Sequence, residues 1–358
     1  MRSLLTSSAA AAASLAMLVA CASVPATLPE TYTAEDLARL DAALAGPDYP
    51  ATTSLIVVKE GEIILERYFG NGSAEKLNDT RSATKTVIAM ATGIAIEEGI
   101  LKSEDALIWP LLSQYAPPGA GDALTQAITV RDLLTMTSAF DCDDNNDTPG
   151  NEENMYPQAS WKAFALALPS MEGWAREADG LGPWRYCTAG SFLLGQTIQE
   201  ASGERIDDFV RTRIFEPMDI ERAQWDTSPS GEIQTGGGLE LSARDLAKLG
   251  WMMTQKGMWE SRRILPESWV ARMLTAYRPA FAEMSYGYQM WTRSYQTPCG
   301  AQDAWFMAGN GGNHILSFPG LNAVIVLTRE AYNTRGMHPQ SFELVEKFVL
   351  PPLACPVE

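Results

Sequence analysis

From Thr86 to Ile100 the chain reads TVIAMATGIAIEEGI. A helix with so little polar surface needs apolar neighbours on nearly every side, so it belongs in the interior of a large domain. A chain of 358 residues, 46% of them hydrophobic, is long enough to build that interior. The segment just before the run is Thr80-Arg81-Ser82-Ala83-Thr84-Lys85. A lysine therefore stands on the first turn of a buried helix. Burying an ammonium group is costly. Lys85 must either reach out of the core or be held there for chemistry.

The N-terminus carries a different message. Arg2 is followed by a small, apolar run ending in Leu18-Val19-Ala20-Cys21. A charged start, a short apolar stretch and small residues read as a secretory signal over residues 1–20. Leu-Val-Ala-Cys also matches the bacterial lipoprotein pattern, in which Cys21 becomes the lipidated first residue; an ordinary cut near Ala22 to Ala26 is the other reading. No other segment has eighteen consecutive apolar residues, so the expected state is an exported, periplasmic chain held to a membrane only through Cys21. A net charge of −17 argues against nucleic acid as a partner. Beyond Cys21 the cysteines are Cys142, Cys187, Cys299 and Cys355. In an oxidising compartment they allow three pairings. Cys142–Cys187 with Cys299–Cys355 is favoured because each pair then lies within one stretch of the organisation below. No CxxC or His-rich cluster occurs, so no metal site is expected.

Residues 21–45 read as a Pro- and Ala-rich tether followed by a helix at Ala34 to Leu44, with Thr33 as its N-cap. Leu55 to Phe69 reads as a hairpin turning at Lys59-Glu60-Gly61-Glu62. Helical patterns follow at Val130 to Met136, Trp161 to Ala167, Gly190 to Ala201, Ile206 to Phe215 and Ser242 to Gln255. The acidic Asp141 to Asn154 reads as a loop. Strand patterns return at Ser285 to Thr292, Ala304 to Met307, His314 to Phe318 and Leu321 to Thr328, before a last helix at Ser341 to Val349. Strands, helices, then strands imply an α+β fold with one sheet built from both chain ends. The expected division is 46–115 with 235–358 as the sheet domain and 116–234 as an inserted, mainly helical domain.

Ser82 and Lys85 are three residues apart and share a helix face. Serine is a poor nucleophile unless a neighbour takes its proton. A lysine can do so if burial and the positive helix end lower its pKa. The pattern alone is weak: with 24 serines and 8 lysines, chance supplies about half a match. Ser73-Ala74-Glu75-Lys76 is a second match, in a polar turn without a buried helix behind it. No Gly-x-Ser-x-Gly occurs, which removes the α/β-hydrolase elbow. Only His314 and His338 could serve a Ser-His-Asp triad. His314 sits in a strand pattern and reads as a packed residue.

With these residues in place, the chain resembles the β-lactamase-related serine hydrolases: class C β-lactamases, D-Ala-D-Ala carboxypeptidases and their esterase and amidase relatives. Their three elements recur in order. Ser-x-x-Lys is Ser82-Ala-Thr-Lys85, Tyr-x-Asn is similar to Tyr186-Cys187-Thr188, and the Lys/His-x-Gly strand is similar to Asn310-Gly311-Gly312. LLTMTSAF and GGGLELSARDLAKLGWMM also resemble family segments, so the likeness runs over roughly residues 50 to 350. It implies an antiparallel sheet flanked by helices with a helical domain across the cleft. It implies Ser82 as the acylated nucleophile, Lys85 as its proton acceptor, and Tyr186 as partner base and acid with its phenol pKa lowered by Lys85. Backbone N–H groups of Ser82 and Asn313 would hold the oxyanion, with Gly311 and Gly312 letting substrate lie close. No cofactor is called for.

Two positions depart from the family pattern. Thr188 replaces an Asn, and either caps the following helix or touches substrate. Asn310 replaces the cation that receives a substrate carboxylate, which favours neutral esters or amides over β-lactams and peptide C-termini; Arg329 is a candidate to restore the charge. Trp174 and Trp184 are candidate walls of an acyl pocket. The leading expectation is hydrolysis of a small ester, amide or peptide through a Ser82 acyl-enzyme. A β-lactamase or D,D-carboxypeptidase, and a catalytically silent scaffold on the same fold, are the competing expectations.

Overall fold

The structure is a computed structural model that describes residues 31–281 and 283–355. The secretory signal, Cys21 and most of the tether lie outside the described residues. An eight-stranded antiparallel sheet dominates. Its strands are β1 (Thr52–Lys59), β2 (Glu62–Tyr68), β3 (Arg278–Pro279), β4 (Ser285–Tyr286), β5 (Trp291–Thr297), β6 (Gly300–Gly309), β7 (Asn313–Phe318) and β8 (Ala323–Arg329), in spatial order β2-β1-β8-β7-β6-β5-β4-β3. Both chain ends build it, as the strand–helix–strand pattern requires. The β1–β2 hairpin turns at Glu60 and Gly61, both with positive φ, where the sequence places it.

Every residue of β7 and β8 is buried, so both faces of the sheet are covered. Helix α4 (Ala243–Thr254) covers one face, packing along β1, β7 and β8. The other is covered by α1 (Ala34–Ala45), capped by Thr33 in a reciprocal box with Asp36, and by α5 (Met337–Leu344). Tyr32 donates to the Val349 carbonyl at 2.8 Å, tying the start of the described chain to the turn that continues α5. The last helix begins four residues earlier than Ser341, because His338 and Phe342 follow helical spacing against the sheet.

The run met first in the sequence is α2 (Thr84–Glu97), in which every residue from Thr84 to Ala95 is buried. It packs against α3 (Thr188–Ser202), likewise buried from Thr188 to Ile198. These two helices form the join between the sheet and the helical region. Among the described residues no helix is long and apolar enough to cross a membrane.

Candidate active site

The nucleophile turn is fixed from outside its own helix. Residues Arg81–Ala83 form a single 3-10 turn that runs straight into α2. Thr80 donates both its N–H, at 3.1 Å, and its hydroxyl, at 2.6 Å, to the Leu239 carbonyl. The Leu239 N–H donates to Thr84 Oγ1 at 3.1 Å. Arg81 stands at φ 48°, a conformation that side chains rarely adopt. Asp79 holds it there, accepting the Arg81 N–H at 3.0 Å and its guanidinium at 2.7 Å. Strain beside a reactive residue persists only where surrounding bonds over-determine it.

Lys85 does not reach solvent. Its Nζ donates to Ser82 Oγ at 2.9 Å, to Thr188 Oγ1 at 2.9 Å and to the Gly236 carbonyl. Three acceptors use all three ammonium donors. Burial pushes its pKa down, while the charges of Glu152 and Asp144 push it back up. Tyr186 lies alongside, with Lys85 Nζ 5.1 Å from its ring centroid. Its ring stacks on Trp291 at 5.6 Å. Here one expectation is corrected. Burial raises the Tyr186 phenol well above its usual value and outweighs the lowering from its hydrogen bond to Ser82; Asp144 and Glu152 raise it further. At rest Tyr186 is a neutral phenol, so it enters the reaction carrying its proton.

Thr188 resolves its two readings in a third way. The cap of α3 is Cys187, whose sulfur accepts the Gly190 N–H at 3.2 Å, and Thr188 is the first helical residue. Its hydroxyl faces Lys85, not solvent. Its N–H donates to Asp144 Oδ2 at 2.7 Å, and Asp144 Oδ1 accepts the Glu152 N–H at 3.0 Å. Asp144 is the residue that sequence reasoning passed over. Burial raises its carboxyl pKa, Glu152 adds to this, and Lys85 opposes it. The available signal was the acidic loop Asp141 to Asn154, because the disulfide Cys142–Cys187 (Cα–Cα 5.4 Å) clamps that loop to the residue after Tyr186. The second expected bridge, Cys299–Cys355, also forms (Cα–Cα 5.6 Å), far along the sheet.

These groups open onto a cavity of about 390 Å³. Ser82 and Tyr186 lie on its wall with Asp144, Glu152 and Glu153 on one side and Phe281, Trp291 and Phe306 on another. Strand β6 supplies Ala308, Gly309 and then Asn310. The pairing of β5 with β6 stops at Trp291 opposite Phe306, so Met307 to Gly309 run on as a strand end without a β5 partner. A side-chain carbon on Gly309 would fall 2.0 Å from the Thr80 carbonyl oxygen, so only glycine lets this strand lie against the nucleophile turn.

The expected oxyanion residues therefore shift. Asn313, Gly311 and Gly312 are not on the cavity wall. Gly311 and Gly312 take φ 93° and 92° to reverse the chain, which puts Asn313 on β7, one strand farther from Ser82. The Asn313 side chain is occupied there: it donates to the Asn310 carbonyl at 2.9 Å and accepts the Arg329 N–H at 3.1 Å. The side-chain amide of Asn310 pairs with Asn333, donating at 2.6 Å and accepting at 2.9 Å. Arg329 does not restore a charge to the cavity. It is buried under the turn, bonded to the carbonyls of Met337 and Pro50 and to Ser341 and Gln340. Trp174 packs away from the cavity, donating to the Thr137 carbonyl, and Trp184 stands behind the wall, edge-on to Phe281 and Trp291. The wall itself is Trp291 and Phe281. Lys76 of the second Ser-x-x-Lys match is paired with Glu330 and lines no part of this cavity.

A buried lysine on a serine, a phenol beside both and a strand end open on its β5 side define a serine acyl-transfer site. The family profile described as Beta-lactamase matches residues 41–339, and the chain belongs to that family. It is a β-lactamase-family serine hydrolase. Among curated proteins it is similar to the 6-aminohexanoate-dimer hydrolase of Paenarthrobacter ureafaciens, 25% identical over 82% of this chain and 78% of that protein. Among solved structures it shares its fold with a D-stereospecific amidohydrolase from a Streptomyces species (TM-score 0.63, 18% identity, 87% of this chain and 97% of the other). It shares it also with EstCE1, a hydrolase with promiscuous acyltransferase activity (TM-score 0.67, 16% identity, 87% and 99%).

Proposed function

We propose that the protein is exported and hydrolyses a small, neutral or cationic amide or ester through an acyl-enzyme on Ser82. One observation carries the substrate class: three carboxylates (Asp144, Glu152 and Glu153) line the cavity, and among the described residues no lysine or arginine does. A substrate carboxylate finds no lysine or arginine on this wall, Lys85 being bonded to Ser82, Thr188 and Gly236, and meets like charge. Neutral Lys85 takes the Ser82 proton as Oγ attacks the carbonyl carbon. Negative charge develops on the carbonyl oxygen beside the Ser82 N–H and the backbone of Gly309 and Asn310, donors at a helix start and at a strand end. Tyr186 gives its phenol proton to the departing nitrogen or oxygen and recovers one from the Lys85 ammonium beside it. Water then attacks the acyl carbonyl and gives its proton to the regenerated Lys85, and Ser82 leaves with that proton restored to its Oγ. The names of the amide-cleaving relatives agree with this reading.

Export is supported by Leu18-Val19-Ala20-Cys21 and by two disulfides, which persist in oxidising compartments. Mass spectrometry of the mature N-terminus checks it, with a diacylglyceryl group on Cys21 as the expected result. The activity is tested by a short-chain p-nitrophenyl ester, the matching p-nitroanilide and a chromogenic cephalosporin, each beside Ser82→Ala. Ser82-dependent turnover of ester and anilide with little of the cephalosporin is expected. Preferred turnover of the cephalosporin would replace this reading with a β-lactamase.

A further inference from the structure

The cavity continues past Ser82 over strand β6 onto the face covered by α5. Cross-strand partners share a face, and Ala308 pairs with His314 and Phe306 with Leu316. His314 on β7 and His338 on α5 therefore meet above Ala308. Their rings lie nearly coplanar and edge to edge, centroids 5.2 Å and planes 4° apart, with His314 Nε2 3.0 Å from His338 Nδ1. Both histidines are on the cavity wall, among Phe306, Phe342, Met337 and Met284. His314 is fully buried, and its Nδ1 has no hydrogen-bond partner among the described residues. A buried polar atom without a partner in an otherwise apolar chamber calls for an explanation.

We propose that the His314–His338 pair is the hydrogen-bonding anchor for an uncharged polar group at the far end of the substrate's acyl chain. The inference rests on the acyl-enzyme reading above and deepens it. The two ends of the cavity are distinct. The charges that act on Tyr186 are Asp144 and Glu152, while those that act on His314 are Arg329 and Arg293. Tyr186 serves the leaving group, so the leaving group departs by the acidic loop. The acyl chain then runs the other way, over Ala308 and along the joined rings of Phe306 and Phe342, to His338.

The chemistry of the anchor follows from its hydrogen bond. Burial and the neighbouring cations keep both rings neutral, lowering His338 to about 4 and His314 well below its usual range. A neutral pair joined by one N–H···N bond presents one donor and one acceptor at its outer nitrogens, whichever ring donates. The outer nitrogens point apart and His314 Nδ1 is sealed off, so the one that meets the substrate is His338 Nε2, which a carboxamide or hydroxyl group can meet either as donor or as acceptor. A carboxylate only accepts, and the adjoining surface groove, which shares Met284 and Phe342 with this chamber, carries Glu283, Glu343 and Glu346. Arg293 there is already paired with Glu346 at 2.7 Å.

Two nearly isosteric esters test this: p-nitrophenyl 5-carbamoylpentanoate and p-nitrophenyl 6-methylheptanoate, which exchange a terminal carboxamide for an isopropyl group. In the wild-type protein kcat/KM should favour the carboxamide about tenfold or more, through KM, because a site built for a polar group rejects the analogue lacking it. The preference should fall toward one in His338→Leu and return in part in His338→Asn. A wild-type ratio near one, or the same ratio in wild type and His338→Leu, would overturn the anchor while leaving the Ser82 reading intact. Equal loss on both esters with a lowered melting temperature would make the pair a clamp between β7 and α5, and would also overturn it. Absence of Ser82-dependent turnover of either ester would sink the acyl-enzyme reading and the anchor with it.

Discussion

Two buried helices begin at the cavity, and their starts are built differently. Helix α3 is closed: Cys187 caps it, the disulfide to Cys142 pins that cap, and Asp144 takes the N–H of its first residue. Helix α2 has no side-chain cap; it is entered through the left-handed Arg81 and the turn that carries Ser82. A capped start stabilises the fold and leaves its donors spent. An uncapped start forgoes that stabilisation and keeps its end open to a reacting group. Lys85, on the first turn of α2, reaches the first residue of α3, so the open start is aligned by the closed one.

The comparison is broken most severely at the open start. Ser82→Ala should lower kcat/KM for a p-nitrophenyl ester by about 10⁴-fold or more. Lys85→Ala should cost nearly as much, and the double variant little beyond either single one, since the pair acts as a unit. Next in size is Tyr186→Phe, with a loss of about 10²–10⁴-fold in kcat. Parallel assays should show a larger loss on the p-nitroanilide than on the ester, because the poorer leaving group depends more on a donated proton.

Smaller effects sharpen the role of the closed start. Removing the Cys142–Cys187 bridge by a double Ser substitution should cost about 2–4 kcal/mol of stability in denaturant unfolding. Turnover should fall as well if the acidic loop positions Tyr186. Thr188→Val removes one partner of Lys85 and should cost about 1 kcal/mol of transition-state or folding free energy. Asp144→Asn should appear chiefly in the pH profile. Activity rises with pH as Lys85 loses its proton, at a pKa that burial has lowered. The Asp144 charge raises that pKa, so its removal should shift the rising limb to lower pH; a limb that stays put or moves up would show that Asp144 does not act on Lys85.

Much of the arrangement was legible in the chain because it is local. The apolar run after Lys85, the Glu60-Gly61 turn and the Thr33 cap are each determined within a few residues, and each appears where its pattern stands. Family likeness carried the order of the Ser82, Tyr186 and Asn310 segments. It did not carry register. Asn313 was expected to line the site, but two glycines reverse the chain before it and put Gly309 and Asn310 on the cavity wall instead.

What the sequence by itself determined is the class of chemistry. A serine and a lysine at one face of a helix too apolar to be exposed leave few other uses for that lysine. Only the tertiary structure decided the electrostatics and the substrate chamber. Burial overrode the expected lowering of the Tyr186 pKa, and Asp144 gained its influence from a loop folded back by a disulfide. His314 and His338, unremarkable as isolated residues, meet only because β7 and α5 pack together. The physical reason is common to all three: pKa values and cavity walls depend on which groups lose water together, and those groups come from segments far apart along the chain.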